Sequence, residues 1–239
     1  MLRAILWIAT VWLILIIFTG CASQEKQALH DTHDARWARN KVKPVELVDA
    51  DEARNPKINS ATYYAAALLL ESQGNYRAAI EKYLKAIETD SSSIAAYNRL
   101  AMLYLKLKKY ELAEDKLKEA IMLHPQSASL HNNLGFTYLL EHRYKDAEAE
   151  LRNALSVNRN YVKAHINLAI ALAQQDKYNQ SLNHFLVGCS AAEANYNLAL
   201  LLHSQGKYKL AKKYYKQALE LDPNFAPALK ALKLLSKSQ

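Results

Sequence analysis

Five tyrosines, Tyr76, Tyr110, Tyr144, Tyr178 and Tyr208, recur along this chain at intervals of 34, 34, 34 and 30 residues. Small residues keep the same step. Ala67, Ala101, Gly135, Ala169 and Ala199 hold one matching place, and Ala79, Ala113, Ala147, Ser181 and Ala211 a second. Ala86, Ala120, Ala154, Gly188 and Ala218 hold a third. A recurrence of this length means pairs of helices stacked as a solenoid, in which each pair touches only its neighbours.

The unit is clearest in residues 128–161. Around Leu134, Gly135 and Tyr138, and again around Ala147, Leu151 and Ala154, apolar positions fall three or four apart, so each half carries one buried helical stripe. Gly135, Ala147 and Ala154 let the helix axes come close, while Leu134, Tyr138 and Leu151 fill the space between neighbouring pairs. One pair cannot bury its stripe alone, so the stack is the folding unit. Five glycines and five prolines are few for 239 residues, which favours long helices and short turns over a β-rich fold.

These residues resemble the tetratricopeptide repeat, matched most fully by Asn195 to Pro223, NYNLALLLHSQGKYKLAKKYYKQALELDP. The resemblance implies an all-α fold: a right-handed superhelical solenoid of about five helix-turn-helix units. Their expected bounds are 60–93, 94–127, 128–161, 162–191 and 192–225, followed by a capping helix over 226–239. In that helix Ala228, Leu229, Leu232 and Leu235 share one side, and Lys230, Lys233 and Lys237 point elsewhere. The chain departs from the pattern at Ser91 and Arg159, which stand where Pro125 and Pro223 do, and at the place usually filled by tryptophan, where His131 and His165 stand. The fourth unit is four residues short around Val187-Gly188-Cys189-Ser190, so the curvature should change there and Gly188 should weaken its helix end. The first helix, TYYAAALLL, is the most apolar of the set and suits contact with a folded-back stretch near Val45 to Val48.

Residues 1–20 carry one early positive charge, Arg3, and then an uncharged, largely apolar run of 15 residues from Ala4 to Phe18. A membrane-spanning helix needs about 20, so the stretch reads as a secretory leader, with an uncleaved anchor as the alternative. Phe18-Thr19-Gly20-Cys21 resembles the lipobox of bacterial lipoproteins, with Phe18 departing from the usual leucine. The resemblance implies that Cys21 becomes the first mature residue and carries acyl chains. Ala22 at the sorting position then favours an outer-membrane lipoprotein facing the periplasm, with inner-membrane retention as the alternative. If Cys21 is acylated, Cys189 is left without a partner for a disulfide and serves as a small buried filler. Residues 21–59 are polar and mixed in charge, a flexible tether reaching on the order of 30 to 35 Å.

The formal charge is +8, and losing Arg3 with the leader leaves 30 basic against 23 acidic residues, +7. Much of it sits at the C-terminal end, where a basic surface can meet nucleic acid, anionic lipid or an acidic partner. A lipid anchor in the envelope argues against nucleic acid. No G-x-S-x-G, phosphate-binding glycine loop or H-E-x-x-H is present, so no catalytic role and no cofactor is expected. The HDTHD stretch, His30 to Asp34, lacks surroundings that would fix a metal site.

The binding surface is expected on the concave side, formed by the first helix of each pair. In unit three it comprises Asn132, Asn133, Phe136 and Leu139; in unit two, Asn98, Met102 and Leu105. Unit four supplies Ile166, Asn167 and Ile170, and unit five Tyr196, Asn197 and Leu200. An amide that donates and accepts can pair with a peptide backbone, while an apolar floor takes up side chains. The asparagines can equally bond neighbouring helices. Asn133 and Lys163 fit the carboxylate clamp of some chaperone-binding relatives, but Asn98, Met102 and Asn167 do not, which argues against capture of a chaperone tail.

Leader, spacer, repeats and a shortened unit before AEANYNLALL together resemble the tight-adherence (Tad) pilus assembly lipoproteins, with type IV pilus biogenesis lipoproteins close behind. The resemblance implies a membrane-anchored scaffold for assembling a pilus or secretion machine. The alternative is an envelope adaptor that recruits peptidoglycan enzymes or proteases.

Overall fold

The computed structural model describes residues 59–236, and these form eleven α-helices and no strand. They are α1 (Ser60–Ser72), α2 (Tyr76–Thr89), α3 (Ile94–Lys106), α4 (Tyr110–Leu123), α5 (Ala128–Leu140), α6 (Tyr144–Val157), α7 (Val162–Ala173), α8 (Tyr178–Gly188), α9 (Ala191–Ser204), α10 (Tyr208–Leu221) and α11 (Ala226–Leu235). The leader, Cys21, the tether and its expected contact through Val45 to Val48 lie outside the described residues, as does Lys237.

Each odd-numbered helix from α1 to α9 folds back on the next through the small residues of the repeat. Ala67 against Ala79, Ala101 against Ala113, and their counterparts as far as Ala211 and Ala218 are fully buried. Gly135 shows why size matters: a Cβ built there would lie 2.6 Å from Leu151 Cγ. Ser181 replaces alanine at one such place, and its hydroxyl is satisfied by donating to the Ala169 carbonyl at 2.7 Å. Neighbouring pairs then share one continuous core, filled by Tyr83, Tyr97, Leu117, Leu151, Phe185 and Tyr215.

The turn inside every unit has one design. Its second-last residue is left-handed in all five: Gly74 (φ 77°), Lys108 (59°), His142 (60°), Asp176 (64°) and Gly206 (75°). The following amide then bonds back to the helix it has left: Asn75 N to Leu70 O, Lys109 N to Tyr104 O, Arg143 N to Tyr138 O, Lys177 N to Leu172 O and Lys207 N to Leu202 O, all at 2.9 to 3.0 Å. This closure satisfies carbonyls that a helix end leaves open.

The fourth unit loses its residues at the end of its second helix. α8 has 11 residues where α6 has 14, and only Cys189 and Ser190 link it to α9. Ser190 opens α9 with a reciprocal cap to Glu193. Gly188 lies against α7, where an added Cβ would come within 2.6 Å of Val162 Cγ1. The weak helix former at that position is therefore also what lets α8 end in contact with α7.

The three non-glycine left-handed residues store backbone strain of roughly 1 kcal/mol each. Lys108→Gly should therefore raise stability by about 0.5 to 1 kcal/mol in denaturant unfolding, whereas Gly74→Ala should lower it.

Candidate protein-interaction surface

The first helices of successive units pack side by side, α3 with α5, α5 with α7 and α7 with α9, and the second helices make no contact of that extent with one another. The stack therefore curves with α3, α5, α7 and α9 on its inner side. That packing buries most of their circumference: in α5 Leu130, His131, Asn132, Leu134, Gly135, Thr137, Tyr138, Leu139 and Leu140 are all buried.

Of the thirteen residues expected to line the groove, seven are buried: Leu105, Asn132, Leu139, Ile166, Asn167, Ile170 and Asn197. Asn98, Asn133, Phe136, Tyr196 and Leu200 are half-buried, and Met102 is 42% exposed. Met102, Phe136, Ile170 and Leu200 occupy the same register in four consecutive units, so they form an apolar stripe across the inner face, with Ile170 as its floor.

Beside the stripe the asparagines bond one another. Asn133 Nδ2 donates to Asn98 Oδ1 at 2.7 Å, and Asn167 Nδ2 donates to Asn132 Oδ1 at 2.9 Å. Both links span 35 residues, one repeat plus one. Asn132 Nδ2 joins the two by donating to Asn133 Oδ1 at 3.2 Å, and Asn98 Nδ2 donates to Ser129 Oγ at 3.1 Å. By the same register Asn197 would bond residue 166, but that residue is isoleucine, and Asn197 Nδ2 instead lies 3.7 Å from Cys189 Sγ. Asn167 Oδ1 is buried and accepts no hydrogen bond among the described residues. The amides are thus committed first to register between helices, and beside them the stripe shows exposed Met102 with half-buried Phe136 and Leu200.

Ion pairs bridge each junction. Glu71 accepts from Arg99 at 3.0 Å, Glu114 from Arg143 at 2.8 Å and Glu148 from Lys177 at 2.8 Å, and Asp176 pairs with Lys207. Glu114–Arg143 and Glu148–Lys177 are each 29 residues apart, a periodicity of opposite charges that the sequence contains and that apolar patterning does not reveal. Burial would raise the Glu148 carboxyl, but hydrogen bonds from Lys177, Arg152 and Gln175 outweigh it and hold the carboxyl down at about 2.

His131 and His165, the residues at the usual tryptophan place, sit at the edge of the core with different partners. His131 Nδ1 meets Glu150 Oε2 at 2.7 Å, whereas His165 Nδ1 meets His184 Nδ1 at 2.8 Å. Burial, then the neighbouring His165 and Arg152, push His184 below the ordinary histidine range, with Glu148 opposing. His203 is bonded to Tyr215 Oη at 3.4 Å. Among the described residues no group of three or more His, Cys, Asp or Glu side chains could hold a metal ion, and HDTHD lies outside them. No described helix is long and apolar enough to cross a membrane. Cys189 is buried as expected. The chain's other cysteine, Cys21, lies outside the described residues.

Asn132→Leu should cost about 1 to 3 kcal/mol in denaturant unfolding, because it strands the Asn167 donor and the Asn133 acceptor together. Acid should destabilise the fold in two stages. His184, held neutral in the folded state, costs stability as pH falls below 6.5. Glu148 contributes stability above 4.5 that is lost as pH falls toward 2. In a pH series of thermal midpoints, His184→Gln should weaken the first stage, to which His203, lowered by burial, also contributes, and Glu148→Gln should weaken the second.

A tetratricopeptide-repeat family model matches residues 192–225, and another matches residues 64–128. Among solved structures, the chain is similar to YrrB, a TPR protein with an unusual peptide-binding site, at 25% identity and a TM-score of 0.56, covering 79% of this chain and 98% of that one. It is also similar to MamA, at 21% identity and a TM-score of 0.58 over 71% of this chain and 94% of that one. A thermophilic TPR protein of Thermus thermophilus matches at 23% identity and a TM-score of 0.53 over 74% and 98%. No curated protein matches the chain in sequence. Period, turns, core and these likenesses agree: the chain folds as an all-helical stack of tetratricopeptide repeats.

Proposed function

We propose that this protein is a non-enzymatic scaffold that grips an extended segment of a partner protein along its inner face. A tetratricopeptide stack is suited to protein–protein interaction. The observation that carries the proposal is the apolar stripe of Met102, Phe136, Ile170 and Leu200, aligned across four units beside a polar amide ladder. A stripe of that form offers successive seats to side chains of an extended chain. The similarity to YrrB, whose own site binds peptide, supports the same use here.

Residues 18–21 and the order of leader, spacer and repeats support a place in the bacterial envelope, held to the outer membrane by acylated Cys21 on the periplasmic side. In that setting the scaffold serves the assembly of a pilus or secretion machine.

A photo-crosslinker at Met102 should capture a partner segment, and Phe136→Asp should abolish that capture while the circular dichroism stays helical. A crosslinker at Leu112, exposed on α4, should capture none. Unchanged capture with Phe136→Asp rejects the groove. Intact mass of the mature protein should show a chain beginning at an acylated Cys21. Met1 still present rejects the lipid anchor.

A further inference from the structure

The last of the five second helices carries a charge pattern that its sisters do not. In α10 four outward positions hold Lys209, Lys212, Lys213 and Lys216, net +4, with exposed Glu220 one turn beyond Lys216. The same register in α4 holds Glu111, Glu114, Asp115 and Lys118, net −2. In α6 it holds Lys145, Glu148, Ala149 and Arg152, net +1, and in α2 and α8 the positions sum to zero. Where α4 and α6 form ion pairs along the helix, Lys118 with Glu114 at 2.6 Å and Arg152 with Glu148 at 2.7 Å, α10 places Lys216 and Lys212. Like charges at that spacing repel.

None of the four lysines forms an ion pair with another described residue, although Lys213 Nζ lies 5.7 Å from the Tyr214 ring. At 3.6 residues per turn they fall within about 100° of the helix circumference. Tyr208, 50% exposed, and Leu210, 37% exposed, flank them. The adjoining α11 repeats the arrangement, with exposed Lys230 and Lys233 beside Leu229 and Leu234, also exposed.

A cluster of mutually repelling cations at one end of the stack is relieved by an external anion. The kind of anion follows from the residue types. All seven cations from Lys207 to Lys233 are lysines, and no arginine follows Arg159. Arginine is the residue for bidentate recognition of discrete phosphates and carboxylates, whereas lysine is a compact, hydrated point charge suited to a diffuse array of headgroups. Leucine and tyrosine at the margins of such a face can enter the interfacial region of a bilayer. We infer that the exposed face of α10, with Lys230 and Lys233 of α11, seats on an anionic lipid surface. The contact depends on these side chains and not on acylation of Cys21.

Lysine acetylation of the full-length chain, read peptide by peptide, tests this on vesicles of phosphatidylcholine with and without about a third phosphatidylglycerol. Lys209, Lys212, Lys213 and Lys216 should react roughly fivefold more slowly on the anionic vesicles alone and regain their rate at about 0.5 M salt. Lys145 and Lys163, which lie outside the face, should be unaffected. Lys209→Glu with Lys212→Glu places an acid four residues before Lys213 and Lys216, so this variant should fold at least as stably and lose the vesicle effect at both lysines. Equal rates on the two vesicle types, slowing that persists in the double variant, or slowing by duplex DNA or an acidic polypeptide but not by vesicles, each overturns the assignment.

Discussion

The structure depends on the close approach of paired helices at positions where no side chain larger than a methyl or hydroxymethyl group fits. Ala67, Ala79, Ala86 and their equivalents through Ala218 are sealed from solvent, and the unit with glycine at the first place has Leu151 where a Cβ would stand. Because axes held this close leave little freedom in crossing geometry, each pair presents nearly the same surface to the next, and packing of the larger Tyr and Leu side chains follows. A solenoid is what repetition of that contact produces.

Curvature follows from which helices meet. The first helices touch across units and the second helices do so far less, so the inner side becomes a packed wall, and ion pairs bridge successive units. On the inner side the asparagine ladder fixes how one unit is offset from the next, since an amide pair 35 residues apart closes only in one register. The apolar stripe lies along that wall because residues in one repeat place must line up once the offset is fixed. Polar groups maintain alignment, and apolar ones line the face beside them.

Much of the architecture was legible in the recurrence of small residues and tyrosines, because helix pairing is set by size and spacing, which a sequence shows directly. The turns were less so: glycine marks the left-handed position at Gly74 and Gly206, but Lys108, His142 and Asp176 adopt the same conformation without any compositional sign. The first helices pack on one another across units, and how deeply that packing buries them was not visible. Leu139, Ile166 and Ile170 fall on that face by spacing and are nevertheless consumed by the neighbouring units, a consequence of curvature that only three dimensions supply. The offset between units also kept the asparagine pairs hidden, since they join one place in a repeat to a different place in the next.

Deleting one whole period measures the central claim most directly. Removing residues 128–161, 34 in all, brings α4 against α7 in unchanged register, with Asn167 opposite Asn98 and Lys177 opposite Glu114. The account predicts a shorter protein that keeps its helical content per residue and unfolds cooperatively, while removing residues 114–145, a deletion two residues shorter that fuses α4 to α6 and turns Ala154 off the face it should share with Ala113, loses both. Equal collapse of the two deletions, or equal tolerance of them, would contradict it.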